Sequence, residues 1–363
     1  MGKRIYFTVT NDLSYDQRMH RICGSLAKAG YDVILVGRRL PASTKLEKRS
    51  FRQIRLFCWF KKGKPFYAEY NIRLFFFLLF SRMDAVCAID LDTILPCLYI
   101  SKIKKVIRIY DAHELFTELK EVVTRPAIQR AWLKIEQKAV PQFKYGYTVG
   151  QGIAEEFNKR YGVEYGCIRN MSELRSFPDP LVREKFLLYQ GAVNEARGFE
   201  WLIPAMKNIR TDLVICGTGN FMEQLKILIR ENKVEDKIQL KGQLFPEQLW
   251  QVTCRGYIGI TISENIGLNQ YLSFPNKFFD YIQAGMPMVT MDFPEYKKIN
   301  DQFDIALLIP EATPELIAGM VNKLLDDSVL YDRLHQNCLK ARLELNWQKE
   351  EIKLLAFYSN IFN

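Results

Sequence analysis

Ser273-Phe-Pro-Asn-Lys-Phe-Phe-Asp-Tyr-Ile-Gln-Ala-Gly-Met-Pro287 reads as one short helix between two buried strands, and it sets the fold class of the chain. Pro275 suits a first helical turn, apolar residues recur at Phe278, Phe279, Ile282 and Ala284, and Gly285 followed by Pro287 ends the helix. The pattern predicts a helix of about ten residues. The apolar runs 257–260 before it and 288–291 after it read as strands, so the helix belongs to an α/β sheet. Lys277 and Asp280 are three residues apart and share a face. Alone, they fit an ion pair on a solvated helix as well as a grip on a phosphorylated ligand.

The preceding segment, Ser263-Glu-Asn-Ile-Gly-Leu-Asn269, lies where a parallel strand ends, which is where open α/β sheets hold their ligands. A carboxylate there, Glu264, can accept hydrogen bonds from hydroxyls. Gly267 lets backbone approach a ligand closely, so the amides of Gly267, Leu268 and Asn269, beside Asn265, can donate to sugar or phosphate oxygens. A polar surface loop without function is the plain alternative.

A Glu, a Gly-Leu pair and then Pro-Asn-Lys-x-Phe-Asp-Tyr-x-x-Ala-Gly-x-Pro together resemble the donor-binding half of GT-B glycosyltransferases, of the bacterial family 4 (group 1) type. Thr10-Asn-Asp-Leu-Ser-Tyr-Asp-Gln-Arg18, Tyr110-Asp-Ala-His-Glu-Leu-Phe116 and Tyr147-Thr-Val149 also look like signatures of that family, so the resemblance extends over essentially the whole chain. It implies two Rossmann-like doubly wound domains facing a central cleft, with a C-terminal helix crossing back to the first domain.

Composition agrees with two domains. At 363 residues the chain exceeds the usual single-core size, and 48% hydrophobic residues suffice to fill more than one core. Strands at 5–9, 33–36, 54–58, 85–89, 106–109 and 145–149 alternate with helices starting near 16, 67, 93, 126 and 152. A second series of strands follows at 186–189, 213–216, 238–240, 257–260, 288–291 and 306–309. Such alternation predicts parallel sheets. The polar, proline-bearing stretch 169–180 divides the series; by the resemblance, residues 1–169 form the acceptor-side domain, 170–345 the donor domain and 346–363 the crossover helix.

Eight cysteines without short paired spacing, and only three histidines, argue against a zinc site and for reduced thiols. The N-terminal residues enter a strand directly and lack a myristoylation pattern, which predicts a cytoplasmic protein. Charge is uneven: residues 1–160 hold 29 Lys+Arg against 15 Asp+Glu, and the remainder 22 against 26. A basic half suits a phosphorylated acceptor or anionic lipid; no nucleic-acid recognition module is present. Within it, Leu74 to Phe80 is a wholly apolar run flanked by Arg73 and Arg82. The run reads either as an interfacial anchor at the inner face of a membrane or as a core helix, and it is too short to span.

Tyr189-Gln-Gly-Ala-Val-Asn-Glu-Ala-Arg-Gly198 carries a strand into a glycine turn, where amides near Gly191 and the Arg197 guanidinium can meet a diphosphate. The family has a basic residue directly after the first glycine; this chain has Ala192, and Lys277 is expected to supply the missing charge. Gly217-Thr-Gly219 is a weak signal, because Gly-x-Gly also serves tight turns. By resemblance Asp280 grips the nucleotide ribose, although the family usually has Glu there. Glu264 and Asp280 also lie farther apart than the family's two carboxylates, which implies an insertion in this loop.

In the first half, His113 follows a strand and matches the family's active-site histidine, with Asp111 and Glu114 beside it. Asn11, Asp12, Asp16 and Arg18 occupy the place of the acceptor loop, although Asp12 and Asp16 also read as helix caps. Asp90-Leu-Asp92 offers a GT-A-like metal reading, against which Asp92 reads as the N-cap of the next helix. The implied activity is transfer of a sugar from a nucleoside diphosphate sugar to a hydroxyl of a glycan or lipid-linked acceptor. His113, Glu264, Arg197 and Lys277 form the reacting centre, with retention of configuration and neither metal nor resident cofactor. The alternatives are a GT-B-fold sugar-nucleotide epimerase, and a silent nucleotide-sugar-binding subunit.

Overall fold

The computed structural model describes residues 2–14, 16–41 and 43–362; Tyr15 of the first-domain motif lies outside them. The chain divides into two compact units, one of residues 1–169 with 350–363 and one of residues 170–349.

The first unit is built on seven parallel strands: β1 (Arg4–Thr8), β2 (Asp32–Arg39), β3 (Arg52–Phe57), β4 (Ala85–Ile89), β5 (Ile107–Ala112), β6 (Tyr145–Thr148) and β7 (Gly166–Cys167). Their order is β3-β2-β1-β4-β5-β6-β7. Strand β4 is buried at every position, as expected where helices cover both faces of a parallel sheet. Ile5 pairs with Val33 on one side and Ala85 on the other, so strand order reverses between β1 and β4. The last helix, Trp347–Phe362, contributes residues from Glu350 onward to this unit. Tyr358, fully buried, lies 3.3 Å from the Tyr147 hydroxyl, and Glu350 accepts the Arg169 N–H at 2.9 Å.

The second unit holds β8 (Phe186–Gln190), β9 (Asp212–Cys216), β10 (Ile238–Gly242), β11 (Ile258–Thr261), β12 (Met288–Met291) and β13 (Ala306–Ile309), ordered β10-β9-β8-β11-β12-β13 and all parallel. Here the reversal falls between β8 and β11. The Gly191 and Glu264 loops leave the carboxyl ends of these two strands, at the switch point where such sheets bind ligands.

The helix over this switch point runs Asn276–Gln283, two residues shorter than its sequence pattern predicts, because Pro275 keeps an extended ψ of 147° and serves as the cap. Its Tyr281 lies across β11 so closely that a Cβ on Gly259 would fall 2.4 Å from the ring. The Tyr281 hydroxyl donates to the Leu188 carbonyl and accepts from the Gln190 N–H, locking helix to strand.

Candidate functional site

In the second unit the turn after β8 and the turn after β9 fit together without side chains. Gly191 has φ 114° and Gly217 φ 153°, and a Cβ on Gly217 would fall 1.8 Å from the Gly191 carbonyl oxygen. Val193 N–H donates to Thr218 C=O, and Glu264 N–H to Ala196 C=O, so three loops are tied at one sheet edge. Gly217 thus shapes the Gly191 turn from behind. Asn265 is exposed, Asn269 is buried, and Gly267 (φ 78°) leads into a short helix, Leu268–Leu272, within the loop that reads as an insertion.

Lys277 enters this edge from the Asn276–Gln283 helix. Only 7% exposed, its ammonium lies 3.4 Å from the centre of the Tyr189 ring and has no hydrogen-bond partner among the described residues. Its Cε is 3.8 Å from the point a Gly191 Cβ would occupy, an ordinary contact distance, so the lysine stem lies against the glycine turn. Burial, with a smaller contribution from Arg197, pushes the Lys277 pKa well below the ordinary lysine value. A cation with three donors and no acceptor in a low-dielectric place is costly unless an anion meets it.

Asp280, on the same helix, does not pair with Lys277. Its carboxylate accepts from the Ser172 hydroxyl on one oxygen and from Gln190 Nε2 on the other at 2.7 Å, while Gln190 Oε1 accepts from Thr253 at 2.7 Å. Ser172, Gln190 and Thr253 had no role in the sequence reading. Gln190 sat inside the glycine motif, directly before Gly191, and was the one signal available for them.

The first unit gathers a second polar cluster at the ends of β4 and β5. Arg18 and Asp111, 3% and 0% exposed at their side chains, form an ion pair of 2.8 Å, and Arg18 also donates to the Ile168 carbonyl at 3.0 Å. His113 Nε2 lies 3.1 Å from the other Asp111 oxygen. Asp90, with φ 57°, accepts the His113 and Glu114 N–H groups at 2.8 and 3.3 Å. Burial opposes charge on His113, but Asp111 and then Asp90 outweigh it and raise the imidazole pKa. Burial likewise opposes ionisation of Asp111, yet Arg18, then His113, hold that carboxyl below its usual range. Burial pushes Asp90 up to about 8 against the pull of His113.

Arg18 and Asp111 are therefore packed behind His113, withdrawn from any acceptor, and they orient its ring. His113 and Glu114 remain partly exposed. Asp16 caps the Gln17–Lys28 helix through the Met19 N–H at 2.9 Å and also accepts from Asn11. Asp12 accepts from Ser14 N–H and the Ser43 hydroxyl, both at 2.9 Å. The N-cap reading of Asp92 is corrected: its carboxylate accepts from the Thr10 hydroxyl at 2.6 Å and lies inside the Leu91–Thr93 turn, burial pushing it up to about 6. Asp90 and Asp92 thus face different partners, and no group of three His, Cys, Asp or Glu among the described residues is arranged to hold a metal.

Residues 172–341 match the model of the family described as glycosyl transferases group 1, which places the second unit in that family. Solved structures share the fold. A sucrose-phosphate synthase from Thermosynechococcus elongatus superposes with TM-score 0.81 at 15% identity, covering 99% of both chains. A glycosyltransferase from Rickettsia africae gives 0.76 at 12%, covering 100% of this chain and 99% of its own. HepE of Anabaena, solved with UDP-glucose, gives 0.77 at 11%, covering 99% and 100%. No curated protein matches.

Proposed function

We propose that this glycosyltransferase, GT-B in fold and group 1 in its second unit, moves a sugar from a nucleoside diphosphate sugar to a hydroxyl of a glycan or lipid-linked acceptor. One observation carries the reading: the buried, unpartnered ammonium of Lys277 against the glycine turn of Gly191, with Arg197 near enough to act on it electrostatically. A diphosphate supplies the missing acceptor. HepE, whose fold this chain shares, was solved with UDP and with UDP-glucose.

In the proposed reaction the anomeric C–O bond breaks, positive character develops on the sugar, and negative charge collects on the departing diphosphate oxygen. Lys277 and Arg197 stabilise that oxygen and are already in place before charge forms. Glu264 and the amides at Gly267, Leu268 and Asn269 hold sugar hydroxyls, and Asp280 meets the ribose. In the first unit His113 and Glu114 are the groups offered to substrate, with Asp111 favouring the protonated imidazole and Arg18 holding Asp111 in place to orient it. The acceptor hydroxyl passes its proton to the departing diphosphate oxygen as its own oxygen bonds to the anomeric carbon. Retention of configuration, independence from metal and from any resident cofactor, and peripheral contact of the basic first unit with an anionic membrane complete the reading.

Calorimetry with UDP, GDP and dTDP in turn tests it. One nucleotide should bind, and Lys277→Met should weaken that binding by about 2–3 kcal/mol, roughly 30- to 150-fold, the worth of a charge-assisted contact. Failure of all three to bind, or equal binding by the variant, rejects the reading. Turnover surviving EDTA, and a product with the donor's anomeric configuration by NMR, test its finer parts.

A further inference from the structure

The apolar run of the first unit lies on the Gly63–Leu79 helix, which buries one side and leaves the other open. Phe66, Tyr70, Leu74 and Leu78 recur every fourth residue on the buried side. Ile72, Phe76 and Phe80 recur every fourth residue on the other and are 58%, 53% and 85% exposed. At one end of that stripe stand Phe57, Trp59 and Phe60, 52%, 72% and 55% exposed. From Ile72 to Phe80 the row is roughly 12 Å long at the helical rise per residue.

The aromatic turn is held in place. Glu69 accepts the Trp59 and Phe60 N–H groups at 3.0 and 2.9 Å, Arg73 donates to Glu69 at 2.8 Å and lies 4.3 Å over the Trp59 ring, and Arg38 donates to the Lys61 carbonyl at 3.0 Å. Three charged side chains fix a loop whose aromatics face solvent, and ordering them there gains nothing for the core. Charge around the row is mainly positive. Residues 57–82 contain Lys61, Lys62, Lys64, Arg73 and Arg82 against Glu69 alone, and Glu69 is already engaged. Lys102 and Lys105, both exposed, extend it: Lys104 between them donates to the Ser81 carbonyl, next to Phe80 and Arg82, at 2.7 Å.

We infer that this face docks on an anionic lipid bilayer, with Trp59, Phe60, Phe76 and Phe80 entering the headgroup region and the lysines meeting lipid phosphates. The inference deepens the peripheral-membrane part of the proposed function. Exposed aromatics beside a mainly basic rim match an anionic interface, and no helix of the described residues is long and apolar enough to cross it. A second copy of the chain fits worse, because a twofold contact sets each basic rim against its own kind.

The test is sedimentation of the full chain with phosphatidylcholine vesicles, with and without phosphatidylglycerol. Binding should require phosphatidylglycerol. Lys61, Lys62 and Lys64 all changed to Gln should weaken it about a hundredfold, at about fivefold per charge. Trp59→Ser with Phe80→Ser should weaken it at least about tenfold with the melting temperature unchanged. Equal binding to neutral vesicles, no binding, variants that bind like the parent, or a dimer that Phe76→Ser dissociates would each overturn the docking face. Nucleotide calorimetry on the same variants should be unaffected, so loss of the lipid result and loss of the donor reading are separately visible.

Discussion

Arg18 in the first unit and Lys277 in the second are both cations withdrawn from water, and they are treated in opposite ways. Arg18 meets Asp111 and a backbone carbonyl, and Asp111 in turn meets His113, so nearly every charge in that cluster has its partner within the unit. Lys277 has an aromatic face and nothing to accept its protons among the described residues. A satisfied buried charge orients its neighbours; an unsatisfied one marks where a ligand completes the fold.

The largest test of that contrast is to remove a partner where partners exist. Asp111→Ala leaves Arg18 buried without its carboxylate and should cost about 3–5 kcal/mol in urea denaturation. A loss under about 1 kcal/mol would show that water reaches Arg18 and would dissolve the distinction. At Lys277 the sign reverses, since no partner is orphaned. Lys277→Met removes an uncompensated buried charge and should raise stability by about 2 kcal/mol at neutral pH. The folded-state pKa of Lys277 is depressed, so between that value and about 10.5 the unfolded chain binds more protons and the parent gains stability as pH rises. The variant's advantage should therefore shrink toward pH 10, and a constant advantage would mean that the ammonium is not the cause.

Much of the fold was legible because its strands are buried on both faces and read as apolar runs. Residues 85–89, 288–291 and 306–309 are strands with the predicted ends. Strand β7 has two residues, too few to carry a periodicity, and was missed. Lys277 and Asp280 were legible as a pair on one face, but their partners were not. The i,i+3 rule assumes a solvated surface, whereas Lys277, Phe278, Phe279, Tyr281, Ile282 and Gln283 are all buried, and each polar group finds its own environment. Ser172 and Gln190 reach Asp280 from 108 and 90 residues away, and Arg18 reaches Asp111 across 93, distances over which sequence pattern carries no geometry. The positive φ of Asp90 was equally hidden.

Asp90 sharpens the comparison inside the first unit. With its pKa pushed up to about 8, the folded chain keeps a proton that the unfolded chain loses near 4, so this group lowers stability as pH rises through that window. Asp90→Asn titrates nothing and still offers an oxygen to the His113 and Glu114 N–H groups. The variant should gain about 1.5 kcal/mol on the parent between pH 5 and pH 8, a figure reduced by water at a side chain 19% exposed. Parallel urea midpoints across that range would show instead that Asp90 is ionised and paired with His113.

Ser172 provides the finest test, because Asp280 lies between the two regimes: partnered like Arg18, yet proposed to serve a ligand like Lys277. Both of its oxygens are engaged, one by Ser172 and one by Gln190, while the residue keeps some exposure. Ser172→Ala removes one donor and should cost under about 1 kcal/mol, since a half-exposed carboxylate recovers water in its place. The oxygen that Ser172 engaged can then accept a ribose hydroxyl in its place. Affinity for a nucleoside diphosphate should rise two- to threefold, about 0.5 kcal/mol, while affinity for inorganic pyrophosphate, which has no ribose, stays constant. A parallel rise for both ligands would assign the effect to the Lys277 end of the helix. A fall for the nucleotide alone would mean that Ser172 itself holds the ribose and that Asp280 belongs, like Asp111, to the groups that only orient.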